Sequence, residues 1–285
     1  MSSAGTPDLR LGLIGDNIAR SRSPLLHRLA GAQNGMAVTY DSLIPRDLGQ
    51  DFDAVFATCA SAGYRGINVT YPYKERAAAK VSIDDPLVRA IGAVNTVIFG
   101  TDGPKGHNTD YSGFVAAYQR VRGNVPPGPT LMIGTGGVGR AVAFGLIALG
   151  ASEIRLVDRD RAKAEALADD LRKAAPALSI TTHDTAEAAA KGASGIINCT
   201  PVGMVGYDGT PVAAEALAGA GWAFDAVYTP PDTQFLTDAA EKGLTIVSGW
   251  ELFFFQGVHA WRLFSGKDVD LRLLRADLLK PEEAA

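Results

Sequence analysis

Two side chains that can exchange a proton, Lys74 and Asp110, stand near the predicted starts of helices. Ile67 and Val69 alternate with polar residues, which predicts a strand, and Pro72 then ends it because proline cannot donate to a sheet ladder. Lys74 therefore lies at a corner between a strand and a helix, where α/β proteins carry functional residues. On this pattern alone Lys74 could also be a solvated surface lysine, and Asp110 could be a plain N-cap.

A glycine-rich segment at 134–139, with the sequence G-T-G-G-V-G, provides a second kind of chemistry. It fits the pattern G-x-G-x-x-G, follows an apolar strand and opens a helix, which is the context in which this pattern binds a dinucleotide. Glycines allow a tight turn and a close approach of the backbone to a pyrophosphate, and the helix N-terminus offers free N–H groups. The predicted cofactor contacts in this loop are Gly134, Gly136, Gly137, Val138 and Gly139.

An acidic residue, Asp158, closes the next predicted strand, about 20 residues further on, where the fingerprint expects it. A carboxylate there accepts hydrogen bonds from ribose hydroxyls and repels a 2′-phosphate, which favours NAD over NADP. The neighbouring Arg159 leaves NADP open, since its guanidinium could hold a 2′-phosphate. A nicotinamide cofactor moves a hydride, and oxidation of an alcohol also releases a proton, so the site needs a base. Lys74 and Asp110 are the best candidates, because the four histidines and two cysteines show no metal-ligand spacing.

The elements that would position these residues alternate between strands and helices in two series, which predicts an α/β protein. In the first series, strands are predicted at 9–14, 38–43, 65–70 and 93–99, with helices at 25–34, 51–62, 73–80 and 85–91. A polar turn at 106–113 then leads into a helix that ends near 121. This alternation favours a mostly parallel sheet.

A Gly- and Pro-rich segment at 123–129 separates the two series. In the second series, strands are predicted at 130–133, 153–157, 178–182, 195–199, 222–227 and 244–247, with helices at 138–149, 162–174, 185–191 and 233–242. This pattern predicts a Rossmann-type, doubly wound parallel sheet. An apolar helix at 250–264 is expected to pack back on the first domain. We therefore predict a discontinuous substrate-binding domain at 1–112 and 249–285, completed by C-terminal helices, and an NAD(P)-binding domain at 113–248.

Composition and charge argue against several classes of protein. The chain has 285 residues and a net charge of −4, with no run of Lys and Arg, so no nucleic-acid partner is expected. No apolar run reaches the roughly 20 residues that a membrane span requires. Two cysteines are too few for a disulfide framework, and no signal peptide is evident, so the cytoplasm is the expected compartment. A monomer and a homodimer both stay open.

Three further segments carry a resemblance to a known family. They are Asn68-Val69-Thr70-x-Pro72-x-Lys74, Gly92-Ala93-Val94-Asn95-Thr96 and Asn108-Thr109-Asp110-x-x-Gly113. In order and spacing they resemble the shikimate dehydrogenase family. The resemblance extends over nearly the whole chain, through Ser21-x-Ser23-Pro24, Asn198-Cys199-Thr200-Pro201-Val202-Gly203-Met204, Asp225-x-x-Tyr228-x-Pro230 and Gln256.

The resemblance implies a role for each matching residue. Ser21 and Ser23 would hold the substrate carboxylate with their hydroxyl groups. Thr70 and Gln256 would contact the ring and its substituents, and Tyr228 would lie near the carboxylate and the nicotinamide. The residues around the reacting ring hydroxyl would be Lys74, Asn95 and Asp110. The cofactor contacts would extend to Thr200, Pro201, Val227 and Gly249.

In this family Lys74 would transfer the proton. An adjacent Asp110 carboxylate favours the charged form of the lysine, so it would not make Lys74 a stronger base. We therefore expect Asp110 to orient the ammonium and to share the proton with it, as one coupled unit.

Some residues depart from the family pattern and leave alternatives open. The segment 158–160, Asp-Arg-Asp, resembles the NAD-using quinate/shikimate branch, and Arg20 stands where the family usually has a histidine. The aromatic residues around Pro72 and in the closing helix leave shikimate, quinate and an amino analogue open as substrates. The alternatives are an NADP-dependent biosynthetic shikimate dehydrogenase, an aminoshikimate-type dehydrogenase, another two-domain dehydrogenase of similar outline and a non-enzymatic quinate or shikimate sensor. The sensor is disfavoured because both the glycine loop and the Lys74–Asp110 pair are present.

Overall fold

The computed structural model describes residues 7–280, and these divide into two compact units. The first unit runs to Thr109 and resumes at Gly257, and the second comprises Asp110–Gln256. Both boundaries fall inside helices, at the start of one and in the middle of another. The domain limits expected from the sequence, 112/113 and 248/249, lie in the first turn of the first of these helices and at the start of the second, and they stay a prediction.

The first unit is built on a five-stranded sheet with the order β2-β1-β3-β4-β5. Its strands are β1 (Leu9–Ile14), β2 (Val38–Leu43), β3 (Gly66–Val69), β4 (Thr96–Gly100) and β5 (Gly103–His107). Its helices are α1 (Ser23–Gln33), α2 (Phe52–Ser61), α3 (Lys74–Ala78) and α4 (Pro86–Ile91).

The sheet of the first unit is mixed and not mostly parallel. Strand β1 pairs in parallel with β2 and β3, but β3 with β4 and β4 with β5 are antiparallel. The prediction of a mostly parallel sheet is therefore wrong for the pairings of β4 and β5. The predicted strand at 93–99 corresponds to β4, but β5 was not predicted, because two glycines and a proline in 103–107 are typical of a turn. A proline is tolerated here because β5 is an edge strand.

Apolar clusters cover both faces of this sheet. One contains Phe52 and Phe56 of α2, and the other contains Trp261 and Phe264 of the long helix α10 (Gly249–Ser265). Helix α10 approaches β3 closely because Gly66 has no side chain: a Cβ there would lie 2.5 Å from the Phe264 ring. The expectation that this helix packs on the first unit therefore holds for its C-terminal half. A further helix, α11 (Leu271–Leu279), has no counterpart among the elements predicted residue by residue.

The second unit contains a six-stranded, fully parallel sheet with the order β11-β10-β9-β6-β7-β8. Its strands are β6 (Pro129–Ile133), β7 (Glu153–Val157), β8 (Ser179–Thr182), β9 (Gly195–Asn198), β10 (Trp222–Asp225) and β11 (Thr245–Val247). Its helices are α5 (Thr109–Arg122), α6 (Gly137–Ala148), α7 (Arg161–Ala174), α8 (Ala186–Ala190) and α9 (Gln234–Glu241), with a 3₁₀ turn at Ala214–Leu217. Helix α5 begins one residue before the unit boundary.

The order of this sheet confirms the predicted doubly wound fold. The chain moves outward from β6 to β7 and β8, then returns to β9 on the other side of β6. In open parallel sheets, ligands bind at this switch point, beside the carboxyl ends of the strands. The loops after β6 and β9 both start there, and they contain the glycine loop and Thr200.

Candidate active site

The glycine loop that follows β6 has the backbone shape of a phosphate cradle. Gly134 has φ +95°, a conformation that favours glycine. A Cβ on Gly139 would lie 2.2 Å from the Gly134 carbonyl oxygen, so the third glycine lets α6 begin against the loop. Gly136 is the N-cap of α6 and provides no side-chain cap. The first N–H groups of this helix therefore suit an anionic ligand.

Asp158, at the end of β7, holds this loop in place. Its Oδ2 accepts hydrogen bonds from the backbone N of Thr135 at 2.7 Å and from the Thr135 hydroxyl at 2.8 Å. Its Oδ1 accepts from the backbone N of Asp160 at 2.9 Å. Burial opposes its ionisation, but the hydrogen bonds from Asp160 and Thr135 outweigh burial and lower the pKa of Asp158. The sequence predicted only a ribose contact for this carboxylate, and the structure adds a structural role. Arg159 beside it is exposed.

The remaining predicted cofactor contacts lie after β9 and β10. Thr200 is held by Asn198, whose Oδ1 accepts from the Thr200 backbone N at 3.0 Å and from its hydroxyl at 2.7 Å. Pro201 is the next residue. Gly249, at the start of α10, packs directly on the end of β10, since a Cβ there would lie 2.3 Å from the carbonyl oxygen of Val227.

Two predicted substrate contacts belong to the second unit, Tyr228 and Gln256. The Tyr228 ring stacks on Phe253 of α10, with 4.9 Å between ring centroids and 15° between planes. Gln256 lies where α10 meets α5: a Cβ on Gly113 would be 2.8 Å from the Gln256 backbone N. Asp110 lies about one turn before Gly113 on α5, so it stands next to the point where α5 contacts α10 at Gln256.

The two predicted carboxylate-binding serines lie at the start of α1 in the first unit. The Ser21 hydroxyl donates to the Ser23 Oγ at 3.2 Å, and the Ser23 backbone N donates to the Ser21 Oγ at 3.3 Å. Neither caps α1, which begins at Ser23 and has no side-chain cap. Two hydroxyl groups beside uncapped helix N–H groups can donate to a carboxylate.

Lys74 is the first residue of α3, just after a turn that closes β3. The backbone N of Thr70 donates to the Ile14 carbonyl at 2.9 Å, and the backbone N of Tyr73 donates to the Thr70 carbonyl at 2.9 Å. The peptide bond between Tyr71 and Pro72 in this turn is cis. The Thr70 bond fixes the end of β3 beside the end of β1, as the parallel pairing of the two strands requires.

A side-chain contact also joins this corner to the loop that follows β1. The Tyr73 hydroxyl donates to Asp16 Oδ1 at 2.6 Å. Burial and this hydrogen bond raise the pKa of Tyr73 to about 12, so it is a neutral donor at physiological pH. The loop that begins at Asp16 leads to Ser21 and Ser23. The contact therefore ties the predicted carboxylate site to the corner that holds Lys74, and no pattern in the sequence indicates it.

Asn95 connects the Lys74 corner to the start of α5. The backbone N of Val94 donates to the Lys74 carbonyl at 2.9 Å. The Asn95 Oδ1 accepts from the Thr109 backbone N at 2.7 Å, and its Nδ2 donates to the Thr109 hydroxyl at 2.9 Å. Asp110 is the next residue of that helix and is only 5% exposed. The amide of Asn95 thus fixes the helix N-terminus that carries the predicted catalytic carboxylate.

These contacts show what each unit holds. In the first unit, Thr70 and Lys74 follow the end of β3, and Asn95 directly precedes β4. Ser21 and Ser23 follow β1. The second unit contains the predicted cofactor contacts together with Asp110, Tyr228 and Gln256. Within residues 7–280, no group of three His, Cys, Asp or Glu side chains could hold a metal ion, and no helix is long and apolar enough to cross a membrane.

Comparison with known proteins adds two family matches. Residues 13–97 match a model described as shikimate dehydrogenase substrate binding domain. Residues 131–206 match a model described as NADP oxidoreductase, coenzyme F420-dependent.

Relatives match over nearly the whole chain. An NAD(+) quinate/shikimate dehydrogenase of Corynebacterium efficiens is 35% identical over 275 residues, covering 94% of this chain and 97% of the relative. An NADP(+) shikimate dehydrogenase of Pseudarthrobacter chlorophenolicus is 34% identical and covers 99% of both chains. Among solved structures, quinate dehydrogenase from Corynebacterium glutamicum in complex with NAD superposes with a TM-score of 0.87 at 32% identity, covering 95% of this chain and 98% of that one.

Proposed function

Because this chain belongs to the shikimate dehydrogenase family, we propose that it oxidises a ring hydroxyl of shikimate, quinate or both, with NAD as the favoured cofactor. The chain is an NAD(P)-dependent oxidoreductase. The products would be 3-dehydroshikimate and 3-dehydroquinate, and the reaction is reversible. In the oxidation, the ring carbon loses a hydride, and the hydroxyl oxygen loses a proton to the protein.

One observation carries the proposal: the network that joins Lys74, Asn95 and the start of α5. Val94 N bonds to the Lys74 carbonyl, and the Asn95 amide holds Thr109 at both its backbone N and its hydroxyl. Asp110 follows at once on the helix. The main chain at Lys74 is thus bonded to Val94, the side chain of the next residue, Asn95, holds Thr109, and Thr109 precedes Asp110. A lysine and a carboxylate whose chain segments are fixed in this way suit a site that must hold and move a proton at a hydroxyl oxygen.

The residues of the second unit fit a dinucleotide. A Cβ on Gly139 would collide with the loop, and Gly136 has open space around the position of a Cβ, as a cradle for a pyrophosphate requires. Those that would hold the cofactor are Gly134, Gly136, Gly137, Val138, Gly139, Thr200, Pro201, Val227 and Gly249. When bound, the nicotinamide accepts or supplies the hydride.

For the proton we propose that the Lys74 amine accepts it in the oxidation, that the ammonium so formed returns it in the reduction, and that Asp110 orients this ammonium. Asp110 stands in the first turn of α5. Asn95 has hydrogen-bonding capacity for the reacting hydroxyl, because its Nδ2 carries two hydrogens and Thr109 takes one of them. Ser21 and Ser23 would bind the substrate carboxylate, and Thr70, Tyr228 and Gln256 would contact the rest of the ring.

NAD is favoured over NADP because Asp158 is ionised at the end of β7, where a 2′-phosphate would meet its charge. NADP stays the alternative, through Arg159 and through the NADP-using relatives. A cytoplasmic location, a monomer or homodimer, and the assignment of substrate binding to 1–112 with 249–285 and of cofactor binding to 113–248 stay predictions from the sequence.

Initial rates test the proposal directly. Purified protein is assayed with shikimate and with quinate, each with NAD and with NADP, by absorbance of the reduced cofactor. We expect turnover of at least one acid, faster with NAD. Absence of turnover with both acids and both cofactors would refute the proposed activity, and a preference for NADP would refute the ribose argument alone.

Two variants separate the roles of Asp158. Asp158→Ala removes both the charge and the anchor of the loop, and should reduce the preference for NAD. Thr135→Val removes only the hydroxyl bond to Asp158, and should leave the preference unchanged. An equal loss of preference in both variants would assign the selectivity to the shape of the loop and not to the charge.

A further inference from the structure

We infer that Asp225 is a positioning residue for cofactor binding, because it ties together the loops after β9 and β10 that carry Thr200, Pro201 and Val227. The inference rests on the proposed function, since it assigns to that site a residue that would not touch the cofactor. Asp225 is the last residue of β10, and its side chain is completely buried.

The Asp225 carboxylate receives three hydrogen bonds from three parts of the chain. Its Oδ1 accepts from the backbone N of Val227 at 2.9 Å and from Asn198 Nδ2 at 3.0 Å. Its Oδ2 accepts from the hydroxyl of Thr233 at 2.6 Å. One carboxylate thus contacts the end of β9, the loop after β10 and the start of α9.

Asn198 passes this restraint to the loop after β9. The same Nδ2 that binds Asp225 also donates to the Val202 carbonyl at 3.0 Å. Its Oδ1 accepts from the backbone N and the hydroxyl of Thr200. Every hydrogen-bonding atom of the Asn198 amide is therefore used to shape this loop, and Asp225 is its contact on the neighbouring strand.

Stability alone does not explain a carboxylate at this position. Burial raises the pKa of Asp225 to about 6, although the hydrogen bonds from Thr233, Val227 and Asn198 act in the opposite direction. Within the described part of the chain, every group that shifts this pKa is neutral. Gly249 of helix α10 packs on the backbone of Asp225: a Cβ on Gly249 would lie 2.7 Å from the Asp225 carbonyl oxygen. A buried carboxylate whose hydrogen-bond partners are all neutral is costly, so its presence indicates a role other than stability.

The directions of these hydrogen bonds explain why residue 225 must accept at both side-chain oxygens. Thr233 caps α9, because its Oγ1 accepts from the backbone N of Leu236 at 3.3 Å, and its hydroxyl hydrogen points to Asp225. In Asp225→Asn, the new NH₂ group would face either the Thr233 hydroxyl, which donates to Asp225 at 2.6 Å, or the donating N–H groups of Val227 and Asn198, so a donor would meet a donor in either orientation. Asp225 holds the loop after β10 through Val227 at one end and Thr233 at the other, and one of these two contacts would then be lost.

Direct binding of NADH to the full-length protein tests the inference. NADH affinity is measured by fluorescence between pH 5.5 and 8 for wild type, Asp225→Asn, Thr233→Val, Thr233→Ser and Thr237→Val, with the thermal unfolding midpoint of each. Thr237→Val is the matched control: it also removes a hydroxyl of α9, one that donates to the Thr233 carbonyl and not to Asp225.

We expect the Kd of Asp225→Asn for NADH to be about tenfold higher than that of wild type at pH 7.5. The Kd of wild type should rise as the pH falls through about 6, while that of Asp225→Asn should not depend on pH. Thr233→Val should weaken binding, and both Thr233→Ser, which keeps the hydroxyl, and Thr237→Val should bind as wild type does. The KM for shikimate or quinate should change less than the Kd for NADH.

Unchanged NADH affinity in Asp225→Asn and Thr233→Val would overturn the inference, whatever happens to their unfolding midpoints. A pH dependence in Asp225→Asn equal to that of wild type would also overturn it. If wild type itself bound neither NADH nor NADPH, the proposed function would fail and the inference with it. Thr233→Val keeps the test decisive if Asp225→Asn does not fold.

Discussion

The hydrogen bonds between Asn95 and Thr109 predict that Thr109→Val lowers both stability and catalysis. The Thr109 hydroxyl is the acceptor for Asn95 Nδ2 at 2.9 Å, and Thr109 is only 3% exposed. Valine has nearly the same shape but no acceptor, so a buried N–H of Asn95 loses its partner. The Asn95 Oδ1 would still accept from the Thr109 backbone N at 2.7 Å and from the Thr96 hydroxyl at 3.1 Å, so the amide would stay near the helix with its NH₂ group less firmly held.

The magnitude follows from these contacts. Leaving one buried amide N–H without a partner costs about 1–3 kcal/mol. For a chain of this size, that lowers the unfolding midpoint by roughly 2–8 °C. If Asn95 contacts the reacting hydroxyl, loss of its fixed orientation should lower kcat/KM for shikimate or quinate by about tenfold or more, which corresponds to about 1.4 kcal/mol.

Thr109→Ser is the matched control, since it keeps the hydroxyl and removes one methyl group, at a cost of about 1 kcal/mol. Steady-state rates and thermal unfolding of both variants are compared with those of wild type. Thr109→Ser should keep most of the kcat/KM despite some loss of stability. Equal kcat/KM in the two variants would refute the assignment of Asn95 to the reacting hydroxyl.

Three other perturbations test further parts of the site. Tyr73→Phe keeps the ring but loses the 2.6 Å hydrogen bond to Asp16. The KM for the acid substrate should therefore rise by roughly 5- to 30-fold, with little change in NADH affinity. An unchanged KM would show that this contact does not contribute to substrate binding. Gly139→Ala places a Cβ 2.2 Å from a loop carbonyl oxygen and should lower both stability and NADH affinity. Gly136→Ala, whose Cβ would have no atom within 4 Å, should lower only the NADH affinity. Calorimetry measures the stability, and fluorescence titration measures the affinity. Burial raises the pKa of Asp225 from 3.8 to about 6. Between pH 3.8 and 6 the folded protein therefore binds a proton that the unfolded chain has released. The free energy of unfolding should fall by about 3 kcal/mol as the pH rises through this range. Denaturant unfolding at pH 4 and 7 should show this component in wild type and not in Asp225→Asn, and identical pH dependences would contradict it.

Local patterns were sufficient to predict most elements of the fold. Strands β1, β2 and β7 have the predicted limits, since alternation and apolar runs depend only on nearby residues. The glycine loop was predictable because its shape requires glycine at Gly134 and Gly139. Strand β5 was not, because it depends on pairing with β4 and with Ser82, and its glycines and proline are typical of a turn.

The contacts of the site residues depend on tertiary pairing, which a single sequence does not display. Nothing near Asp158 in the sequence indicates that Thr135 binds it, and nothing near Asn95 indicates Thr109 as its partner. Asp225 was visible only as part of a family motif, without a role. The sequence therefore predicted which residue types belong to the site, and the structure supplies the residues that hold them.

Removal of the Lys74 amine tests most directly whether Lys74 transfers the proton. In Lys74→Met, kcat for shikimate and quinate should fall by roughly 10²- to 10⁴-fold while the Kd for NADH stays unchanged. Lys80→Met is the control, because Lys80 forms a surface ion pair with Asp53 at 3.0 Å and should contribute little. A Lys74→Met enzyme with the kcat of wild type and of the control would contradict the account.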